Sequence, residues 1–259
     1  MAEIHPTAIV HPDADLGAEV VIGAYAIIGK DVQIGEGTEV MAHAVIDGRS
    51  TIGKNNVIYP SASIGQPAQD LKYKGEPTKL TIGDNNHIRE FSTIHLSATL
   101  DTNTVVGSNN LIMAYAHVAH NCQIGDHVVL ANAVNLAGYV QVHDHAIVGG
   151  VTAVLQFVKI GAYAFVGGAS GLKKDVPPYT RGQGMHRYII AGINTVGLSR
   201  KGFTTEQIEA IKAIYKVFYR SKMNVTQAIE FAESMPSLTD EQAVFLDFCK
   251  NSARGISKN

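Results

Sequence analysis

A period of six residues runs through most of this chain and restricts what it can fold into. Stepping by six from Ile4 gives Val10, Leu16, Ile22, Ile28, Ile34, Val40, Ile46, Ile52, Ile58 and Ile64. The same register resumes at Ile82 and runs through Leu100, Val118, Ile124 and Ile160 to Leu172. Of 29 such positions 27 carry Ile, Val or Leu; the exceptions are Asp70 and Glu76. Two places before each aliphatic stands a small or β-branched residue, as at Ala8, Ala14, Val20 and Ala26, and the place after it is often glycine, as at Gly17, Gly23, Gly29 and Gly35. Residues two apart face the same side of a strand, and a helical period of 3.6 cannot sustain such a repeat. Three six-residue units make an 18-residue triangular coil stacked on its neighbours as parallel strands, a hexapeptide β-helix. Glycine after the aliphatic is read as the residue that permits each sharp turn. Periodicity does not set the hand of the coil, although crossovers are normally right-handed.

The two exceptions fall in Gln66–Lys79, a polar stretch with two prolines that reads as a loop leaving the coil. Such loops often carry function, although a tolerated surface insertion has the same composition. Ser97–Thr104 is a smaller irregularity. After Leu172 the repeat stops, and Asp175-Val176-Pro177-Pro178-Tyr179 reads as extended linker. From Thr204 the period becomes helical. Thr204 and Gln207 suit a capping box before the stripe Ile208, Ile211, Ile214, Tyr215 and Phe218. A second helix is expected over 226–233 and a third from near Thr239, with Gln242 three residues on and Val244, Leu246 and Phe248 following. The division expected is a mainly β repeat domain over 1–190, with a loop ejected at about 66–79, and a C-terminal helical domain over 191–259.

Composition narrows the function classes. A net charge of −2 gives no global field for nucleic acid. Two cysteines, Cys122 and Cys249, argue against a disulfide framework or a cysteine zinc site and suit a reducing cytosol. Cys122 occupies an inward small-residue position and reads as core. No apolar run reaches about 18 residues, so no stable membrane insertion is expected. The start Met1-Ala2-Glu3-Ile4-His5-Pro6 lacks the basic and apolar regions of a signal peptide, so the expected location is cytoplasmic. Segment 200–222 sets six basic residues against Glu206 and Glu209, a face that is either merely solvated or able to dock an acidic protein. No phosphate-binding loop or dinucleotide fingerprint occurs.

Residues 18 apart should stack one above another. His120 lies two places past Val118, hence at a turn, and its column continues to Gly138 and Gln156. Imidazole is the natural general base near neutral pH, and a glycine beside it leaves a backbone N–H open to a developing oxyanion. His117, three residues earlier, points outward from a strand end. The bland reading is that these are two surface histidines among the chain's 11.

At these residues the chain resembles the acyl-[acyl-carrier-protein]–UDP-N-acetylglucosamine O-acyltransferases, which begin lipid A biosynthesis. The resemblance covers nearly the whole length. It rests on Gln69-Asp70-Leu71-Lys72-Tyr73 with Gly75-Glu76-Pro77-Thr78, on Ala116-His117-Val118-Ala119-His120, on Leu130-Ala131-Asn132, Gln156-Phe157 and Asp175 to Tyr179, and on Gly197-Leu198 with Gly202-Phe203. It implies a left-handed coil, a homotrimer with sites between neighbours, acyl carrier protein and UDP-N-acetylglucosamine as partners, and neither metal nor organic cofactor. It implies His120 as the base that deprotonates the sugar 3-hydroxyl for attack on a 3-hydroxyacyl thioester, and the Gly138 amide as oxyanion donor. Asp70, His117 and Gln156 match positions that hold the sugar and reactive groups, Lys72 and His95 further substrate contacts. Asn194, Arg200 and Lys201 match the region near uridine and phosphates, and Gly168 the position that limits acyl length.

The chain departs from the family pattern at Asn121, usually an acid, at Tyr139 and Leu155, commonly histidines, at Met185, commonly asparagine, and at Lys201, which replaces an arginine. These changes leave a 3-amino sugar nucleotide as an alternative acceptor. Three other readings compete. The related N-acyltransferase carries a uridine-binding domain before its repeats, whereas here repeats begin at Ile4. A γ-class carbonic anhydrase would need three histidines on zinc, with His95, His117, His120, His143 and His145 as candidates. A catalytically dead scaffold that binds acyl carrier protein would not need the His120, Gly138 and Gln156 column.

Overall fold

A computed structural model describes residues 1–258. The six-residue register folds into a left-handed parallel β-helix, followed by helices. Most strands are two residues long. Their second residue, the aliphatic, points inward and the first outward, as in Val21–Ile22 and Ile27–Ile28. Corresponding strands of successive coils pair in parallel, Glu3 with Val21 and Ile4 with Ile22, and form three sheets of 11, 9 and 8 strands. The core is a column of Ile, Val, Leu and Ala side chains along the axis. Ile4 and Leu100 are exceptions to the register's inward rule, at 45% and 67% exposed. Ile4 sits in the open first coil, and Leu100 lies in the irregular segment outside it.

The corners work differently from the expectation. The residue that turns the chain is three past the aliphatic, and it is seldom glycine: among the described residues 19 non-glycine residues, including Tyr25, Asn121, Tyr139 and Val151, hold φ between +52° and +64°, whereas Gly37, three past Ile34, does so at +69°. The glycine just past the aliphatic is required by stacking. A Cβ at Gly35 would come within 2.6 Å of the Gly53 carbonyl carbon on the next coil.

Two insertions interrupt the coil without destroying its register. Val57 pairs with His87, 30 residues on, and His87 with Leu111, 24 on, instead of 18. The extra residues come in multiples of six, so the aliphatic step survives both. They leave as the loop after Gln66 and the segment around 97–104.

The Asp175–Tyr179 stretch is no linker. All five residues are buried; Val176 bridges to Ile160, and the Asp175 carboxylate accepts from the Lys159 N–H (2.8 Å) and the Ser252 hydroxyl (2.6 Å), closing the coil against the C-terminal segment. An antiparallel hairpin, Thr180–Gln183 with Ile189–Ile193, then extends the first sheet. Among the described residues four helices follow: α1 (Thr195–Arg200), α2 (Thr205–Tyr219), α3 (Val225–Glu233) and α4 (Asp240–Lys250). Capping boxes start the last three, at Thr204, Asn224 and Thr239. The α2 stripe packs on α4 through Phe218 and Phe245, whose ring centroids are 5.3 Å apart. Phe245, not Val244, is the buried anchor of α4. Ile189 of the hairpin is exposed, but Ile190 faces inward at 1% exposure, so only the former is available to a neighbour. Among the described residues no helix is long and apolar enough to cross a membrane.

Candidate active site

The strand His117–Val118 places His120 at the next corner, and the coil beyond brings Gly138 against it. A Cβ on Gly138 would lie 2.5 Å from His120 Nε2 and 3.0 Å from Nδ1, so only a bare backbone fits beside this imidazole. The Tyr139 N–H donates to the His120 carbonyl (3.0 Å), which locks the two corners together. The Gly138 N–H has no acceptor among the described residues. Gln156, one rung further, is exposed, and the Phe157 N–H donates to the Gly138 carbonyl (3.2 Å).

His120 is not a surface histidine. It lies at the corner, as the register requires, yet is only 3% exposed, because the two ejected segments cover it. From the larger loop, Asp70 sets its Oδ2 3.8 Å from His120 Nε2. That gap is too wide for a hydrogen bond, but an oxygen placed between the two can bond to both. The loop is shaped by its own polar groups: the Lys72 N–H donates to Asp70 Oδ1 (2.8 Å) and the Tyr73 hydroxyl to the Glu76 carbonyl (2.9 Å). Lys72 itself is exposed. On the other side, His120 Nδ1 lies 2.9 Å from Asn121 Oδ1, and Asn121 is enclosed by Ala98, Thr99, Thr102 and Thr104. Nothing in the repeat pattern marks these four residues; the only signal is that three are threonines within an interruption of the register.

His117 and His95 complete a histidine cluster. His117 Nδ1 is 2.7 Å from the Thr93 hydroxyl, and the His95 ring meets it edge-on with centroids 5.0 Å apart. Burial, reinforced by the neighbouring imidazoles, pushes the His95 pKa down to about 4. Burial first, then His120, lowers His117 as well. Both are therefore held towards the neutral form. Among the described residues no group of His, Cys, Asp or Glu has the arrangement of a metal site, so the five histidines of the zinc alternative do not converge on one. Cys122 is fully buried, and desolvation drives its thiol pKa up to about 12, as suits a core residue.

The remaining candidates stand apart from His120 within one chain. Gly168 lies at a different corner, where a Cβ would sit 3.2 Å from the Gly150 carbonyl oxygen. Asn194 caps α1: its Oδ1 accepts from the Gly197 N–H (3.2 Å) and its Nδ2 donates to the Tyr163 carbonyl (3.0 Å). Arg200 and Lys201 follow at the end of α1, both exposed.

Residues 103–138 match the bacterial transferase hexapeptide family, and 175–257 match the family described as UDP-N-acetylglucosamine O-acyltransferase, domain 2. Over 259 residues, all of both chains, the sequence is 48% identical to the acyl-[acyl-carrier-protein]–UDP-N-acetylglucosamine O-acyltransferase of Thermodesulfovibrio yellowstonii. The UDP-N-acetylglucosamine acyltransferase of Francisella novicida superposes with a TM-score of 0.96 at 41% identity, covering 99% of this chain and 94% of that one. The Arabidopsis UDP-N-acetylglucosamine acyltransferase gives 0.86 at 35% identity, with 98% and 100% covered. With full-length identity near one half and the same coil, loop and helical tail, the chain belongs to the acyl-[acyl-carrier-protein]–UDP-N-acetylglucosamine O-acyltransferase family.

Proposed function

We propose that this protein transfers a 3-hydroxyacyl chain from acyl carrier protein to the 3-hydroxyl of UDP-N-acetylglucosamine, the first step of lipid A biosynthesis, in the cytoplasm. The observation that carries the reading is the packing of the His120 imidazole on the bare Gly138 backbone, with the Asp70 carboxylate 3.8 Å from Nε2. His120 Nε2 takes the proton of the sugar hydroxyl as its oxygen attacks the thioester carbonyl. The Gly138 N–H, which has no protein acceptor, donates to the tetrahedral oxyanion. Collapse expels the carrier thiolate, which takes the proton back from the imidazolium, so His120 is regenerated. Asp70, His117 and Gln156 hold the sugar around the reacting hydroxyl, with Lys72 and His95 as outer contacts. No step calls for a metal or an organic cofactor.

The remaining assignments fit a homotrimer whose sites lie between subunits. Leu111, Val129, Ile147 and Phe165 stand on successive rungs of the first sheet with their side chains outward, an apolar stripe that a symmetric neighbour would cover. In such an assembly Asn194, Arg200 and Lys201 serve the nucleotide bound against an adjacent subunit, and Gly168 leaves room for the acyl tail. Exposed Lys216 on α2 and Arg220 at its C-terminal cap suit an acidic carrier protein.

Incubation with UDP-N-acetylglucosamine, or its 3-amino counterpart, and a series of 3-hydroxyacyl carrier proteins, with products read by mass spectrometry, tests the reading. The expected product is the 3-O-acylated sugar nucleotide, lost in His120→Ala with melting temperature and oligomeric state unchanged. Turnover by His120→Ala, or acylation of the amino sugar alone, would overturn it.

A further inference from the structure

The residue beside the base is an amide where the family pattern has an acid, and an amide can face an imidazole in two ways. If its oxygen points at Nδ1, that nitrogen carries the proton and Nε2 keeps its lone pair. If its NH2 points there, Nδ1 accepts, Nε2 carries the proton, and His120 cannot take one from a substrate. The contacts around Asn121 decide between these. The Ala98 N–H, which can only donate, lies 2.9 Å from Asn121 Oδ1. At the far end, Nδ2 faces the Thr102 hydroxyl at 2.6 Å and the Thr99 hydroxyl at 3.1 Å. Both hydroxyl oxygens have lone pairs free to accept from an NH2 placed there. The Ala98 contact fixes the orientation, the two hydroxyls complement it, and Asn121 itself is 3% exposed, leaving little room to turn over.

We propose that the segment 97–104 is a positioning clamp: Ala98, Thr99 and Thr102 act through Asn121 to hold His120 as the Nδ1–H tautomer. The proposal rests on the reading of His120 as the base. It accounts for the six residues inserted there, and for how a neutral neighbour replaces an acid. The amide keeps the orienting function of a carboxylate while adding no negative charge beside the imidazolium. The other groups facing the ring are Asp70 at Nε2, His117 and His95 within the same cluster, and the edge-on ring of Tyr139 at 5.4 Å.

Imidazole 15N spectra of the full-length protein near neutral pH read the tautomer directly, with the His120 resonances identified by their loss in His120→Ala. The clamp requires a protonated Nδ1 and a bare Nε2. The double variant Thr99→Val/Thr102→Val removes both acceptors of the amide while nearly keeping side-chain volume. It should mix the tautomers and lower kcat about tenfold to hundredfold, part of what a positioned base contributes, with KM for UDP-N-acetylglucosamine within about twofold. Serine at both positions should restore kcat and spectrum. A proton on Nε2 in the wild-type protein, or an unchanged spectrum and kcat in the valine variant, overturns the clamp; the wild-type spectrum decides even if the valine variant does not fold. An inactive His120→Ala with a proton on wild-type Nε2 defeats the clamp alone, whereas an active His120→Ala defeats the assignment of the base.

Discussion

The imidazole of His120 fills the space over Gly138 that any other residue's side chain would claim. The imidazole and the free backbone N–H are therefore one packing unit. Gly138→Ala must push the ring away, and a displacement of about 1 Å at a reacting group costs on the order of a hundredfold in rate. The expected outcome is a kcat lowered a hundredfold or more, a near-normal KM for UDP-N-acetylglucosamine and an unchanged oligomer, since the new methyl meets a side chain and not the coil backbone. Steady-state kinetics with a thermal melt check this; full activity in the variant would separate the base from the glycine.

Charge on α2 provides a second test. Lys216 on α2 and Arg220, the residue that caps its C-terminus, are exposed and stand in no ion pair among the described residues, unlike Lys212, which holds Glu209 at 2.7 Å. If this face receives acyl carrier protein, Lys216→Glu/Arg220→Glu should raise KM for the acyl carrier about tenfold and leave KM for the nucleotide sugar alone. Added salt should weaken the wild type more than the variant, because exposed charges are screened over about 8 Å at physiological ionic strength. Equal salt dependence of the two proteins would place the carrier elsewhere.

The coil was legible because its cause is periodic: one buried aliphatic every sixth residue, unshifted even by insertions of six and twelve. The His120 and Gly138 column was legible for the same reason, since no insertion separates the two. What covers His120 was not, because Asp70 and the Thr99–Thr104 stretch come from aperiodic segments whose path follows from their own turns. The corner rule was misassigned for a related reason. Glycine's frequency suggested the turn, but the left-handed position tolerates almost any residue once stacking fixes it, while the glycine answers to the backbone of the coil above. Asp175 read as linker because its two prolines mask a carboxylate bonded at both oxygens across the chain.

The histidine cluster should make stability depend on pH. His95 in the folded protein titrates at about 4, against about 6.5 when unfolded, so between these values the unfolded chain binds more protons. Stability is then full above about pH 6.5 and falls as pH drops towards 4, by at most about 3 kcal/mol from this residue. His117, His143 and His145 are shifted in the same direction, chiefly by burial. Melting temperature should rise from pH 4 to 6.5, and His95→Phe, which keeps the edge-on contact with His117, should remove part of that slope. An identical slope in the variant would show that His95 is not kept neutral by the fold.

Backbone strain at the corners gives a stabilising prediction. Val151 holds φ at +57° with its side chain 64% exposed, so a β-branched residue occupies the left-handed region with little packing in return. The left-handed conformation costs roughly 1–2 kcal/mol for most L-residues, and asparagine escapes much of it through local hydrogen bonding. Asn55, Asn85 and Asn109 already serve in this way at another corner. Val151→Asn should therefore raise stability by about 1 kcal/mol, read as a higher denaturation midpoint at unchanged slope. If the midpoint falls instead, the exposed valine is packing against another subunit, and a concentration-dependent drop in melting temperature would identify that contact.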